Sequence, residues 1–544
     1  MLFRSNYTRS IDDRSVVGES RYDSPATRTV RPTVGYNLTD PGFNFYKLFQ
    51  TVQTGTVFSA GAPVTDIDSF TKPMASIRSL DAIDTTQAYT GKIDISNKTD
   101  FFGDDAVFRL GFQYDRRTTQ ADERQILLDT AALLGQAGID TSYLNNAESP
   151  GTYKGAIPLG YSFRYFSETA MRANVAKARA IRTSAPVVAN NYKVTEEILS
   201  AYVMGTAKFD WGSIVGGVRV ERVKNTGEAI GTVGTTSRLI TASNNSTLFF
   251  PSFHFNYNID DSKKLRIGLT SGAARADYDQ LRPNVVVNDA NQTISGGNPS
   301  VKPERAYGVD AYLEWYVQPQ GYFMIGAYYK RVDDVLFNAR RTFASNILND
   351  GTTDRSGYVF SGIVNGGSGY LYGLEAAAQI QLEPYTEKLG LPDWMGGFGI
   401  NANVTLNQSQ VEKPAIAGST AFLSPAARKV RLPGASDAIY NIGIYYEKYG
   451  FSARLNYQLR TDWLDAVSDT LVDAGDTYWA LDTEMDLSLR YEVRKGFEVY
   501  FDASNLLNQP GRRYSDAWTA KNTPYTIEWE RFGRRYSGGV RVTF

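Results

Sequence analysis

From about Ile93 to the last residue the chain repeats one pattern: roughly ten residues alternating apolar and polar side chains, then a connection that is short and long in turn. Phe451, Ala453, Leu455, Tyr457 and Leu459 share one parity, and Ser452, Arg454, Asn456, Gln458 and Arg460 share the other. A period of two sends the two sets to opposite faces of a strand. Tyr307, Val309, Ala311, Leu313 and Trp315 repeat the device against Gly308, Asp310, Tyr312 and Glu314, as do Phe398, Ile400, Ala402, Val404 and Leu406 against Gly399, Asn401, Asn403, Thr405 and Asn407.

A soluble sandwich also alternates, but its strands usually run about five or six residues, whereas about nine to eleven tilted residues are needed to cross a bilayer. The apolar parity of these segments carries no Lys or Arg, and one such charge facing lipid near the midplane costs about 2–4 kcal/mol. The alternation therefore predicts a lipid-facing side and a wet side.

The connections sharpen this reading. Short ones are expected near residues 493–496, 447–450, 317–321, 259–264 and 209–212, with a longer member of the same set near 384–397. Between them fall long ones near 505–527, 461–479, 408–436, 337–369, 275–304, 225–246 and 118–193. Short turns at one rim and long loops at the other are what outer-membrane barrels show. Two loop segments read as helical, 122–137 and 167–182, the second with Ser167 as N-cap and carrying Arg172, Lys177, Arg179 and Arg182. These cations read as a solvated face, with an anionic-ligand contact as the sharper alternative. The pattern yields about fifteen strands from Ala88 onward and one in residues 1–12, roughly sixteen in all. Residues 28–84 are less regular, and 37–45 with the Pro and Gly around Pro63 suggest a folded extracellular loop.

Composition agrees. The 544 residues are 42% hydrophobic and 13% aromatic, and no run approaches the about 18 apolar residues of a spanning helix. Any crossing is then by closed strands that satisfy every backbone group. The 35 Tyr and 7 Trp suit interfacial girdles. A formal charge of −1 gives no reason to expect nucleic acid as a partner, and the absence of Cys rules out disulfides and thiolate metal sites. Residues 1–20 contain Arg4, Arg9, Asp12, Asp13, Arg14 and Glu19 without an apolar stretch, so the natural start is expected upstream of Met1.

Three boxes bring a family into view. Gly297-Asn298-Pro299-Ser300-Val301-Lys302-Pro303-Glu304 resembles the G-N-P-x-L-K-P-E box of TonB-dependent outer-membrane receptors, with Val301 for the usual Leu. Asn505-Leu506-Leu507-Asn508 resembles their N-L-x-N segment, and residues 533–544 resemble their terminal strand. In that strand Tyr536, Val540, Val542 and Phe544 share the apolar parity, which is similar to the signal that the barrel-assembly machinery engages as an added strand.

The resemblance implies about 22 strands around a plug, with a TonB-binding segment ahead of it. Neither plug nor TonB box is visible, so residues 1–544 are read as the barrel domain alone: an all-β antiparallel transmembrane barrel with roughly sixteen strands of a presumed 22. The implied function is outer-membrane active uptake of a scarce solute in a Gram-negative bacterium. The terminal-strand and loop motifs point to the carbohydrate-associated subset of that family, with siderophore, haem-like or vitamin ligands left open, and the TonB complex would engage only the intact receptor. No cofactor is expected.

An enzyme is not expected. His254, the only histidine, shares parity with Asn256 and Asn258 and reads as a lumen residue. Gly366-Gly367-Ser368-Gly369-Tyr370 lacks the closing Gly of a nucleophile elbow, and the stretch reads as a loop tip. Asp333 with Asp334, and Asp350 with Asp354, do not match a calcium-loop spacing and read as loop charge. Trp463, Trp479 and Trp518 read as girdle residues ahead of sugar-stacking ones. Two rivals stand beside the receptor: a passive porin of about sixteen strands, which has no use for the 297–304 box, and a surface adhesin, which would show a repeat of about 20–50 residues that is not found.

Overall fold

The computed structural model describes residues 1–23, 25–37, 46–70, 72–99, 105–152, 159–233, 236–289, 291–318, 320–343, 348–349, 352–414, 427–468, 475–516 and 524–543. Its body is one antiparallel meander. The first half comprises β1 (Leu2–Asp13), β2 (Met74–Thr99), β3 (Asp105–Leu128), β4 (Tyr192–Phe209), β5 (Gly212–Val233), β6 (Thr236–Asn258), β7 (Lys263–Ala274) and β8 (Glu304–Tyr316). The second comprises β9 (Gly321–Asp333), β10 (Gly369–Gln381), β11 (Phe398–Lys413), β12 (Ala438–Lys448), β13 (Phe451–Arg460), β14 (Asp482–Arg494), β15 (Phe497–Ser504) and β16 (Arg535–Val542). Each strand pairs with the one before it. Among the described residues no ladder joins β16 to β1.

Register keeps the parities aligned from strand to strand. Leu313 lies opposite both Leu265 and Ile325, Leu374 opposite Leu406, and Ile442 opposite Ala402 and Tyr457. Ile325 and Leu374 are 59% and 55% exposed, although moving such a side chain out of water gains about 1.5–3 kcal/mol. A sheet face of this kind needs an apolar medium. The opposite parity is polar and cross-linked: Arg266 Nε donates to Glu314 Oε1 at 2.8 Å, Tyr312 Oη to Glu375 Oε2 at 2.8 Å and Tyr202 Oη to Asp94 Oδ1 at 2.6 Å. His254 lies on this polar side, opposite Val215 and Gly268.

Rings gather at the short-connection rim. Phe209 stacks on Trp211 at 4.8 Å, Trp211 meets Phe255 at 5.4 Å, Trp315 meets Phe323 at 5.7 Å and Phe398 meets Tyr446 at 5.0 Å. The 449–450 turn places Tyr449 and Gly450 in the left-handed region, at φ 56° and 72°, the geometry of a two-residue hairpin.

The long rim differs from the sequence expectation in several places. Strands β5 and β6 run on past 225–246 to pair as far as Val233 with Thr236, so no long loop lies there. The 122–137 segment is not a helix over its length: β3 continues through Leu128 because β2 supplies a partner up to Ile77, and only α1 (Ala131–Gln136) is helical. Likewise the second strand begins at Met74 rather than near Ala88. By contrast α2 (Glu168–Ile181) forms as expected, with Ser167 Oγ accepting from Ala170 N. Residues 33–64 hold a three-stranded sheet, Thr33–Tyr36, Tyr46–Thr54 and Val57–Val64, while 38–45 lie outside the described residues.

Buried apolar side chains of the outer connections cluster with those at the upper ends of the strands. Val335, Phe337, Val364, Val411, Val430 and Leu464 form one cluster, and Ile77, Leu128, Leu134 and Val175 belong to another beneath α2. The rim is a packed structure set on the wall.

Candidate functional site

The 297–304 box pins one outer connection beneath the next. At Gly297 an added Cβ would meet the Arg282 carbonyl oxygen at 2.2 Å, so the backbone approach requires glycine. Asn298 is buried, its Nδ2 donating to the Ile363 carbonyl at 2.9 Å and its Oδ1 accepting from Ser300 N at 3.2 Å. Val301 packs with Val194, Leu281 and Ile363. Lys302 N donates to Asn365 Oδ1, and Glu304 Oε1 accepts from Leu336 N at 2.6 Å. Pro299 and Pro303 limit the backbone between these contacts.

A second clip ties the ends of the last two strands. Asn505, at φ 52°, donates from its backbone to Asp486 Oδ1 at 2.9 Å and from Nδ2 to the Gly533 carbonyl at 2.8 Å, while Arg534 Nε reaches the Leu506 carbonyl. In β16, Tyr536, Val540 and Val542 are exposed on one parity, and the strand pairs only with β15 among the described residues. Phe544 and Trp518 lie outside the described residues.

Trp463 and Trp479 leave the girdle expectation. They face each other at 6.3 Å on a small sheet of Trp463–Ala466, Thr477–Trp479, Gly511–Ser515 and Tyr525–Glu530, above the wall. Arg460 lies 3.7 Å from the Trp463 ring centre and Arg513 5.7 Å from that of Trp479. Between this sheet and the upper ends of β14 to β16 opens a cleft of about 560 Å³, lined by the two Trp rings and by Asp482, Glu484, Arg512 and Glu530. Sequence reasoning missed these charged residues. The signal was present in the parity that puts Asp482 and Glu484 on the face of Arg460.

Charges behind the cleft hold its sheet. Arg428, half-buried, pairs bidentately with the buried Asp476, with NH1 to Oδ2 at 2.9 Å. Burial, reinforced by Asp476, pushes the Asp516 carboxyl above its usual range, and burial pushes the Tyr514 phenol up to about 12.

The remaining candidates sit in local hydrogen bonds and ion pairs. Asp333 pairs with Arg331 and Asp334 with Arg305, both at 3.1 Å. Asp354 accepts from Ser356 and Asn349, and Asp350 lies outside the described residues. The 366–369 glycines are not a loop tip: a Cβ on Gly366 would meet Phe337 and the Glu412 carbonyl within 2.7 Å, where the chain re-enters the wall. On α2, Arg172 pairs with Glu168 at 2.6 Å and Arg179 donates to Ser79 Oγ at 3.0 Å, as a surface helix packed on the wall requires.

Comparison with known proteins places this geometry. The family described as TonB dependent receptor-like, beta-barrel, matches residues 3–506. The chain is similar to the ferric-catecholate import receptor Fiu from E. coli K12, at 10% identity over 92% of this chain and 60% of that one, TM-score 0.50. It is also similar to the pyoverdine outer membrane receptor FpvA from Pseudomonas aeruginosa PAO1, at 11% identity over 92% and 57%, TM-score 0.50. A third likeness, to the ferric yersiniabactin uptake receptor FyuA from Yersinia pestis, has 13% identity over 92% and 57%, TM-score 0.49. The chain thus spans about three fifths of the length of these structures. No curated protein sequence matches it.

Proposed function

Because this chain belongs to the TonB-dependent receptor-like β-barrel family, we propose that it forms the lipid-facing wall and outer rim of a Gram-negative outer-membrane receptor that takes up a scarce solute, energised through the TonB complex in the intact receptor. The observation that carries the solute-capture part is the rim cleft. Its Trp463 and Trp479 rings offer apolar surface beside hydrogen-bond acceptors on Asp482, Glu484 and Glu530 and donors on Arg512. A pyranose ring presents the matching chemistry, C–H faces ringed by hydroxyls, so a carbohydrate is the ligand class we favour. The family match does not favour a passive porin.

The same reading holds residues 1–544 to be barrel wall, with a plug and about six further strands completing a ring of about 22. The edges of β1 and β16 that carry no ladder among the described residues support it. So does the chemistry of β16, whose second edge carries no ladder among the described residues and whose outward Tyr536, Val540 and Val542 suit capture by the barrel-assembly machinery as an added strand.

The ligand is tested by titrating the refolded chain, in neutral micelles, with neutral oligosaccharides, ferric siderophores and cobalamin while following tryptophan fluorescence. Saturable quenching by an oligosaccharide supports the reading. A response confined to a siderophore or cobalamin replaces the ligand class, and steady solute-unselective conductance in a planar bilayer would restore the porin.

A further inference from the structure

On the outward face of the wall the apolar band ends in the same step on four strands. Tyr7 is followed two residues higher by Arg9 on β1, Tyr114 by Arg116 on β3, Tyr307 by Arg305 on β8 and Tyr329 by Arg331 on β9. The tyrosines share the parity of the lipid-facing residues and are 39–51% exposed. Tyr rings settle at headgroup depth, and two strand residues rise about 7 Å, so each Arg stands where headgroups carry their charge.

The densest part of this ring lies on β3 to β5. Arg116 is opposite Glu197, and Glu197 is opposite Lys224; one step lower Tyr114 is opposite Leu199, and Leu199 is opposite Arg222. Adjacent strands lie about 4.8 Å apart, so three cations share an area that one or two phosphates would fill. Among the described residues one carboxylate answers them: Glu197 lies 4.0 Å from Arg116 and accepts from Tyr114 Oη at 3.1 Å. Arg222 and Lys224 are exposed and make no ion pair with any described residue. Cations left unpaired on a wall face directly above hydrocarbon, beside tyrosines, meet the physical requirement for holding an anionic headgroup, and Arg in particular suits the forked geometry of phosphate.

We infer that Arg116, Arg222 and Lys224 form a binding patch for the phosphate of an outer-leaflet lipid headgroup. The inference rests on the wall being membrane-embedded, as proposed above, and concerns a ligand and a face separate from the rim cleft. Glu197 tempers the patch and sets its position between strands.

The test uses the whole chain folded in neutral micelles, with native mass spectrometry counting retained lipid A against its dephosphorylated form. Wild type should keep the phosphorylated lipid selectively. Arg222→Gln with Lys224→Gln, both exposed and with no ion-pair partner among the described residues, should retain roughly tenfold less, and Glu197→Gln should retain more. Equal retention by the double variant, or of the dephosphorylated lipid, overturns the inference. Displacement by inorganic phosphate at equal concentration would make this a free-anion site and overturns it too. Protease protection in phosphatidylcholine vesicles reads the wall separately: insertion by all variants confines any loss to the patch, and failure of wild type to insert overturns the wall reading and the inference with it.

Discussion

Asn365 and Lys302 exchange two hydrogen bonds of 2.8 Å, the Asn365 amide matching the Lys302 backbone as a neighbouring strand would. The same Nδ2 also donates to the Asp334 carbonyl at 2.9 Å, so one side chain holds three segments of the outer rim. Asn365→Ala leaves a backbone donor and two acceptors without these partners, at a cost of about 1–3 kcal/mol. Hydrogen exchange should rise in 297–304 and 334–343 while the wall strands stay protected. Unchanged exchange there would show that apolar packing alone holds the rim.

A lipid-facing wall makes a paired prediction. Leu455 lies opposite Ile444 and Leu487 on the apolar parity, while Gln458 lies opposite Asn441 and Glu484 on the polar one. Leu455→Arg should cost about 2–4 kcal/mol and block refolding into vesicles, and Gln458→Arg should not. Refolding yield by heat-shifted gel migration measures both. Equal tolerance would place the apolar face away from lipid.

For the cleft, Trp463→Ala should weaken the carbohydrate found in the titration by roughly tenfold, the size of an aromatic stacking contribution. Trp463→Phe should keep most of the affinity. Calorimetry decides, and an affinity unmoved by Trp463→Ala would separate the ligand site from this sheet.

Asp516 carries a pH signature. Its folded-state value is raised by burial and by Asp476 and Asp462, against a hydrogen bond from Tyr478 and the charge of Arg428. The folded form therefore holds its proton more tightly than the unfolded one, and the stability this gives is present at low pH and lost as pH rises from the ordinary carboxyl range through the raised value. Local protection of the 511–515 and 525–530 strands should fall over that window. Asp516→Asn should flatten the dependence and leave protection at pH 7 higher than wild type. A pH-independent wild type would contradict the burial argument.

How far the sequence could be read varies along the chain for a physical reason. The alternation in 451–460 or 307–315 is a local period of two that sorts apolar and polar side chains onto opposite faces of each strand, so the parities and the short turns were legible, whereas the upper reaches of β2, β3, β5 and β6 were not. The boxes at 297–304 and 505–508 were legible as motifs, but their work was not, because Asn298 and Asn505 act on carbonyls 65 and 28 residues away. At 122–137 local composition suggested helix, and pairing of β3 with β2 overrode it.

By itself, then, the order of residues determined that a sheet would form with one oily and one wet face, since that follows from a period of two repeated within each strand. Which loops pack together was decided only in three dimensions. The meeting of Trp463 with Trp479, the burial of Asn298 and the row of cations above the tyrosines all depend on register between strands, and register is a property of the assembled ladder, held by hydrogen bonds between segments that the linear sequence keeps far apart.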